Sequence, residues 1–185
     1  MLAFIACKGS LLATGGRNMY KIGDYTMHGD QGVCKVVEIG TLDLGPTNKD
    51  KLYYTLTPIY SKGSMVYSPV DSNKVNMRDI MSVNEANELI NNISTIPIIE
   101  AVNDKVLEAT IKETLKNFKA IDWIRIIKTL QKRNEERISS GKRLSTMGEK
   151  YLNLSKELLF GELSIVLDCS KERAEEMIMS KLGQA

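Results

Sequence analysis

Tyr20-Lys21-Ile22-Gly23-Asp24-Tyr25-Thr26-Met27-His28-Gly29-Asp30-Gln31-Gly32-Val33-Cys34-Lys35-Val36-Val37-Glu38-Ile39 is the stretch that decides the fold of this chain. It reads as two short strands, Asp24 to Met27 and Val33 to Ile39, joined by a tight turn that contains Gly29 and Gly32. β-Branched residues are dense, apolar and polar residues roughly alternate, and glycine marks the turn. Leu52 to Ile59 and Ser64 to Ser68 follow as two more strands. Gly45-Pro46-Thr47-Asn48-Lys49-Asp50 and Ser61-Lys62-Gly63-Ser64 are the turns before them, and Val70-Asp71-Ser72-Asn73-Lys74 is a turn after them. Pro58 and Pro69 cannot donate to a ladder, so the strands end there or run along an edge. With no helical period among these strands, the region predicts a small curled sheet or barrel that ends near Arg78.

Beyond Arg78 the period is helical. Ser82-Val83-Asn84-Glu85 is a capping box opening a first helix, about Val83 to Ile93. Ser94-Thr95-Ile96-Pro97 breaks it, and Pro97 suits the first turn of a second helix carrying Val102, Val106, Leu115 and Phe118. A third helix runs from about Ile121 to Ile138, with Trp123, Ile124, Ile127 and Leu130 at helical spacing. Thr146-Met147-Gly148-Glu149 reads as a second capping box, starting a fourth helix that continues to about Leu167. Ser170 is the N-cap of a fifth, with Ala174, Met177, Ile178 and Leu182 in line. The expected class is α+β: a small N-terminal β-barrel followed by an all-α bundle of about five helices.

The 185 residues leave room for one large or two small domains, and the formal net charge is only +2. Bulk charge therefore does not announce a nucleic-acid partner, and any such role rests on local clustering. Cys7, Cys34 and Cys169 are far apart and odd in number, which reads as buried or idle thiols in a reducing, cytoplasmic setting. No apolar run is long enough to span a bilayer. Residues 1–18 read as an extension, disordered or from a non-native start, because the short apolar Met1 to Ala6 has no basic flank before it. Catalysis has little to build on. His28, the one histidine, sits in a hairpin turn, and neither a Walker loop nor GxGxxG nor HExxH occurs. No enzyme activity, no cofactor or metal, no membrane and no small-molecule substrate is expected.

Two features point to partners instead. Arg125, Lys128, Lys132, Arg133, Arg137, Lys142, Arg143 and Lys150 fall on the third helix, the connector after it and the start of the fourth. Arg125, Lys128 and Lys132 share a helix face, and such a strip can neutralise several phosphates. The plain alternative is a solvated helix face. Tyr53, Tyr54, Met65 and Tyr67 sit on short strands of a region too small to bury them all, as on a protein-binding face or edge. The alternative there is that they form the barrel's own core.

The pattern resembles the CarD family (CarD/CdnL-like) of bacterial transcription regulators. The resemblance is carried by Tyr20-Lys21-Ile22-Gly23-Asp24, His28-Gly29-x-x-Gly32-Val33, Tyr53-Tyr54-Thr55-Leu56, Pro69-Val70-Asp71 and Val75-Asn76-Met77-Arg78. It continues in Trp123-Ile124-Arg125-Ile126-Ile127-Lys128-Thr129-Leu130 and Gly161-Glu162-Leu163, and extends from Met19 to about Leu182. It implies a Tudor-like domain over residues 19–78 that docks on the RNA polymerase β subunit, a domain shared with the transcription-repair coupling factor. It also implies a helical domain over 79–185 that contacts promoter DNA and modulates the open complex. The polymerase-binding positions implied are Ile39, Thr41, Leu42, Tyr53, Tyr54, Thr55, Met65, Val66 and Tyr67, by strand addition or edge contact. Family members often carry arginines where this chain has Leu42 and Tyr67. The DNA-contacting set is the basic strip with Lys105 added. Many members also place a wedge tryptophan shortly before an Asn-Asp pair; here Asn103-Asp104 is preceded by Ile98-Ile99-Glu100-Ala101-Val102, and Glu100 stands at the wedge position. Trp123 is expected to be core. Two other classes compete: an RNA- or ribosome-associated KOW-like protein, from the glycine pattern between Gly23-Asp24 and Val33, and a pure protein-interaction adaptor.

Overall fold

The structure is a computed structural model in which residues 20–42, 51–61, 63–71, 77–143 and 145–183 are described. The extension 1–18, the turn Gly45 to Asp50, Ser72 to Lys74 and the Val75-Asn76 pair lie outside them. Among the described residues five antiparallel strands form one sheet: β1 (Tyr25–His28), β2 (Gly32–Thr41), β3 (Leu52–Pro58), β4 (Val66–Pro69) and β5 (Met77–Asp79). Their spatial order is β4-β3-β2-β1-β5. The β1–β2 link is a single 3-10 turn, Gly29–Gln31, bounded by Gly29 at φ 48° and Gly32 at φ 73°. Both angles lie where a side chain is strained, which is why the turn carries glycine at each end.

The sheet is open, not the closed barrel expected. Closure needs the two outermost strands to meet, and here β4 and β5 occupy opposite edges with no ladder between them among the described residues. β5 was not foreseen: three residues, Met77-Arg78-Asp79, carry no alternation to read. Arg78, where the sheet was expected to end, is therefore inside a strand. The curl comes from β2, whose register against β3 shifts between Val36 and Glu38. A bulge there bends the strand and turns Val37 out to solvent.

The described residues form five α-helices: α1 (Val83–Asn91), α2 (Asp104–Lys116), α3 (Ala120–Ser139), α4 (Thr146–Val166) and α5 (Lys171–Leu182). The Ser82–Glu85 capping box is complete: Glu85 N donates to Ser82 Oγ at 3.2 Å, and the Ser82 N–H and hydroxyl donate to the Glu85 carboxylate at 2.7 and 2.8 Å. Those bonds hold the Glu85 carboxyl below the usual carboxylate range. Ser170 caps α5 as expected. Two boundaries differ. α4 is capped by Ser145, whose Oγ accepts from Gly148 N at 3.1 Å, one residue before the Thr146 box that the sequence suggested. α2 starts at Asp104 and not near Pro97, because Asn103 accepts from Val106 N and side chains of α3 take up the backbone of the intervening segment.

One face of the sheet makes its own core from Cys34, Val36, Tyr54 and Leu56. From the other face Met27 and Val33 enter the main core of the helices, beside Trp123, Ile127, Leu158, Leu159 and Phe160. A second helical core joins Leu107, Ile111, Ile126, Leu130 and Tyr151. Sheet and bundle are thus packed against each other around shared apolar side chains.

Candidate functional site

The helices meet the sheet at Met27 of β1, Val33 of β2 and Arg78 of β5, and among the described residues β4, at the far edge, is bonded to β3 alone. Met65 and Tyr67 are 63% and 50% exposed at that edge, and the Tyr67 hydroxyl donates to Met65 Sδ at 3.8 Å. Thr41 is exposed, while Ile39, Leu42 and Val66 are half-buried. Tyr53, Tyr54 and Thr55 are buried. Tyr54 packs edge-on against Tyr20 and its hydroxyl accepts from Tyr20 N at 3.1 Å, so it belongs to the sheet's own core. The aromatic surplus therefore divides. Tyr54 and Tyr53 serve the fold, and Tyr67 with Met65 remains on the surface. Leu52 on β3 and the bulged-out Val37 on β2 are also exposed apolar side chains, which only the burial pattern could identify.

The basic strip divides as well. Lys128 Nζ donates to the carbonyls of Ile93, Ser94 and Ile96 at 3.0, 3.1 and 2.7 Å. Ile99 N donates to Thr129 Oγ1 at 2.8 Å, and Arg133 donates to Ala101 O at 2.8 Å and to Asp104 at 2.6 Å. Arg137 also faces Asp104, at 3.6 Å, and donates from Nε to Arg143 O at 2.8 Å. One row of α3 thus fastens the irregular segment 93–103 to the bundle. Arg125 lies 3.6 Å from Asp122. Lys105, Lys132, Lys142 and Arg143 are exposed, and exposed Lys150 has its ammonium 5.5 Å from the Tyr151 ring. Glu100 is exposed on the wall of a cleft of about 270 Å³ shared with Lys132, Arg133 and Glu136. The most exposed apolar residue of the segment is Val102, 89% accessible, directly before the Asn103 cap. Replacing Lys128 with methionine is expected to destabilise the chain by roughly 1.5–3 kcal/mol, since its carbonyls lose a charged donor. Lys132→Gln should leave stability within about 0.5 kcal/mol. Urea denaturation of both variants checks this, and equal losses would contradict it.

A third constellation joins motifs that the sequence quoted separately. Arg78 on β5 donates from Nη1 and Nη2 to Glu162 on α4 at 2.6 and 2.7 Å, and from Nε to Phe118 O at 2.8 Å. Its guanidinium lies 5.4 and 5.3 Å from the Phe118 and Trp123 ring centroids. Glu162 is fully buried and also accepts from Met81 N at 2.8 Å. Trp123 is core, as expected, with no exposed surface.

His28 is half-buried at the end of β1, opposite Gly32 and Met77. Among the described residues no group of three or more His, Cys, Asp or Glu side chains could hold a metal ion, and no helix is long and apolar enough to cross a membrane. Burial pushes the Cys34 thiol up to about 11, so it stays protonated and unreactive at neutral pH.

Residues 20–81 match the family model of the CarD-like/TRCF RID domain. No curated protein matches the chain. The matched region comprises the five strands and runs on to Met81, whose N–H bonds Glu162; the helical body lies outside it. An open sheet of five described strands, matched over its whole length to that family, makes residues 20–81 of this chain a CarD-like RNA polymerase-interacting domain.

Proposed function

We propose that this chain is a non-catalytic transcription regulator that docks on the RNA polymerase β subunit through the free β4 edge. Its helical body then lies beside promoter DNA and changes the stability of the open complex. The observation that carries the docking half is the free edge itself. Among the described residues β4 is paired on one side only, with Met65 and Tyr67 exposed at that edge. A strand of the partner added there gains main-chain hydrogen bonds, and the two side chains supply apolar anchors. With Leu42 and Tyr67 where relatives often have arginines, the contact is more apolar here.

The DNA half is supported by the exposed cations Lys105, Lys132, Lys142 and Arg143, and by Val102, exposed directly before the Asn103 cap. Lys128, Arg133 and Arg137 hold protein groups and contribute mainly by shaping that end. Glu100 stands where a wedge tryptophan is common, so the expected effect on the open complex is weak until an aromatic is supplied.

The deciding experiment is capture of RNA polymerase by the full chain. Met65→Glu combined with Tyr67→Glu is expected to weaken capture by about thirtyfold or more, the effect of losing one hot-spot anchor of about 2 kcal/mol. Both residues are exposed, so thermal stability should change little. Undiminished capture would refute docking at β4. For DNA, fork-junction affinity should fall with salt. Lys105→Gln with Lys132→Gln should flatten the slope by roughly 0.9 for each phosphate that is no longer neutralised. A wild-type response without salt dependence would favour the adaptor reading.

A further inference from the structure

Gly161, Glu162 and Ser164 form one short stretch of α4, and the sheet holds it at two separate points. Arg78 of β5 forks onto Glu162. Tyr60, just past β3, lays its ring on Gly161, where an added Cβ would stand 3.4 Å from two ring carbons. The Tyr60 hydroxyl is 2.5 Å from Ser164 Oγ, and Lys171 of α5 sits over the ring at 5.0 Å. A single attachment would leave a hinge. Two attachments, with Met27 and Val33 packed between them into the helical core, remove it. The Arg78 point is remote from β4, since β5 stands four strand positions away, roughly 19 Å at ordinary strand spacing, and Tyr60 stands at the start of the β3–β4 connection, outside β4 itself.

We propose that Arg78–Glu162 and Tyr60 on Gly161/Ser164 form an orientation clamp that sets the angle and span between the polymerase-binding edge and the nucleic-acid-facing end of the bundle. The inference rests on the two-surface reading above and deepens it. A chain already bound through β4 offers its second surface at an effective concentration fixed by geometry. That concentration is high only when the span is set in advance, because a loose joint must be ordered at the moment of contact. The residues of the clamp touch neither partner; they are positioning residues.

The test uses the full chain with Cys7 and Cys169 replaced by serine and spin labels on cysteines introduced at Ser64 and Ser140, both exposed. Pulsed electron resonance then reads the sheet-to-bundle distance. The uncoupled variant is Tyr60→Ala with Arg78→Met and Glu162→Leu, which removes the ion pair from both sides so that no buried charge is stranded. Arg78→Lys, which keeps a cation but gives up the fork, supplies the same reading in a chain closer to wild type. The expected result is a broadened distance distribution, polymerase capture within about twofold of wild type, and fork-DNA affinity of the polymerase-bound chain lowered by about tenfold or more. A distribution as narrow as wild type, or a broad one with undiminished fork-DNA affinity, would overturn the clamp. If the wild-type chain fails to bind polymerase, the proposed function falls, and the distance measurement still decides whether these contacts fix the angle.

Discussion

Replacing Arg78 with alanine is expected to lower the stability of the chain by about 3–5 kcal/mol, the range for leaving a buried charge without its partner. The Glu162 side chain has no exposed surface, whereas that of Arg78 keeps 28% of its own. The arginine therefore reaches in from the rim, and its removal strands a carboxylate that cannot reach water. Met81 N remains on Oε1, but a single amide does not replace a two-pronged guanidinium. The Phe118 carbonyl also loses its donor, at a residue held at φ 55°, where a phenylalanine backbone is already strained. Arg78→Met combined with Glu162→Leu should recover most of the loss, because an apolar pair of similar volume avoids the desolvation penalty. Urea midpoints of the two single variants and the double variant decide the matter. A double variant as unstable as the sum of its parts would show that the pair does not act as a unit.

Trp123→Ala carries the second large effect, about 3–5 kcal/mol for truncating a buried aromatic. Trp123 is fully buried, meets Phe118 edge to face at 5.7 Å and 77°, and lies under the Arg78 guanidinium. Trp123→Phe should cost far less, within about 1.5 kcal/mol. Among the described residues nothing accepts from the indole Nε1, so its loss removes a desolvated donor along with the ring volume. Thermal melts of the two variants read the packing contribution, and a phenylalanine variant as unstable as the alanine one would contradict this account. Trp123 and Arg78 touch, so their effects should not add.

Much of the fold was legible where a local chemical signal exists. The Ser82 box and the Ser170 cap announce α1 and α5, and the apolar period announces α3 and α4. Gly29 and Gly32 mark the hairpin. What stayed hidden is what depends on distant groups. Whether a sheet closes depends on two edges meeting, and nothing in Val66–Pro69 or Met77–Asp79 alone encodes that. Pro97 suits a helix start, yet Thr129 and Lys128 hold the neighbouring backbone outside any helix. The division within the basic strip stayed hidden for the same reason: the acceptors of Lys128 are carbonyls, which no side-chain pattern reveals. Glu162 did carry a sign in its neighbours. A carboxylate inside Leu158-Leu159-Phe160-Gly161-Glu162-Leu163 has no solvated face to occupy and demands a buried cation. At the sheet, parity alone did not separate Tyr53, which is buried, from Tyr67, which is not.

The open edge has a consequence for the chain when it is alone. An unpaired strand with apolar flanks invites a second copy to add to it, the usual route to aggregation. β4 is only four residues long and ends at Pro69, whose nitrogen has no proton to give a neighbouring ladder. Two free molecules pairing there would gain few bonds before the proline stopped them. The brevity of β4 thus works as a gatekeeper, keeping free copies apart while leaving room for a partner that brings more than a bare strand.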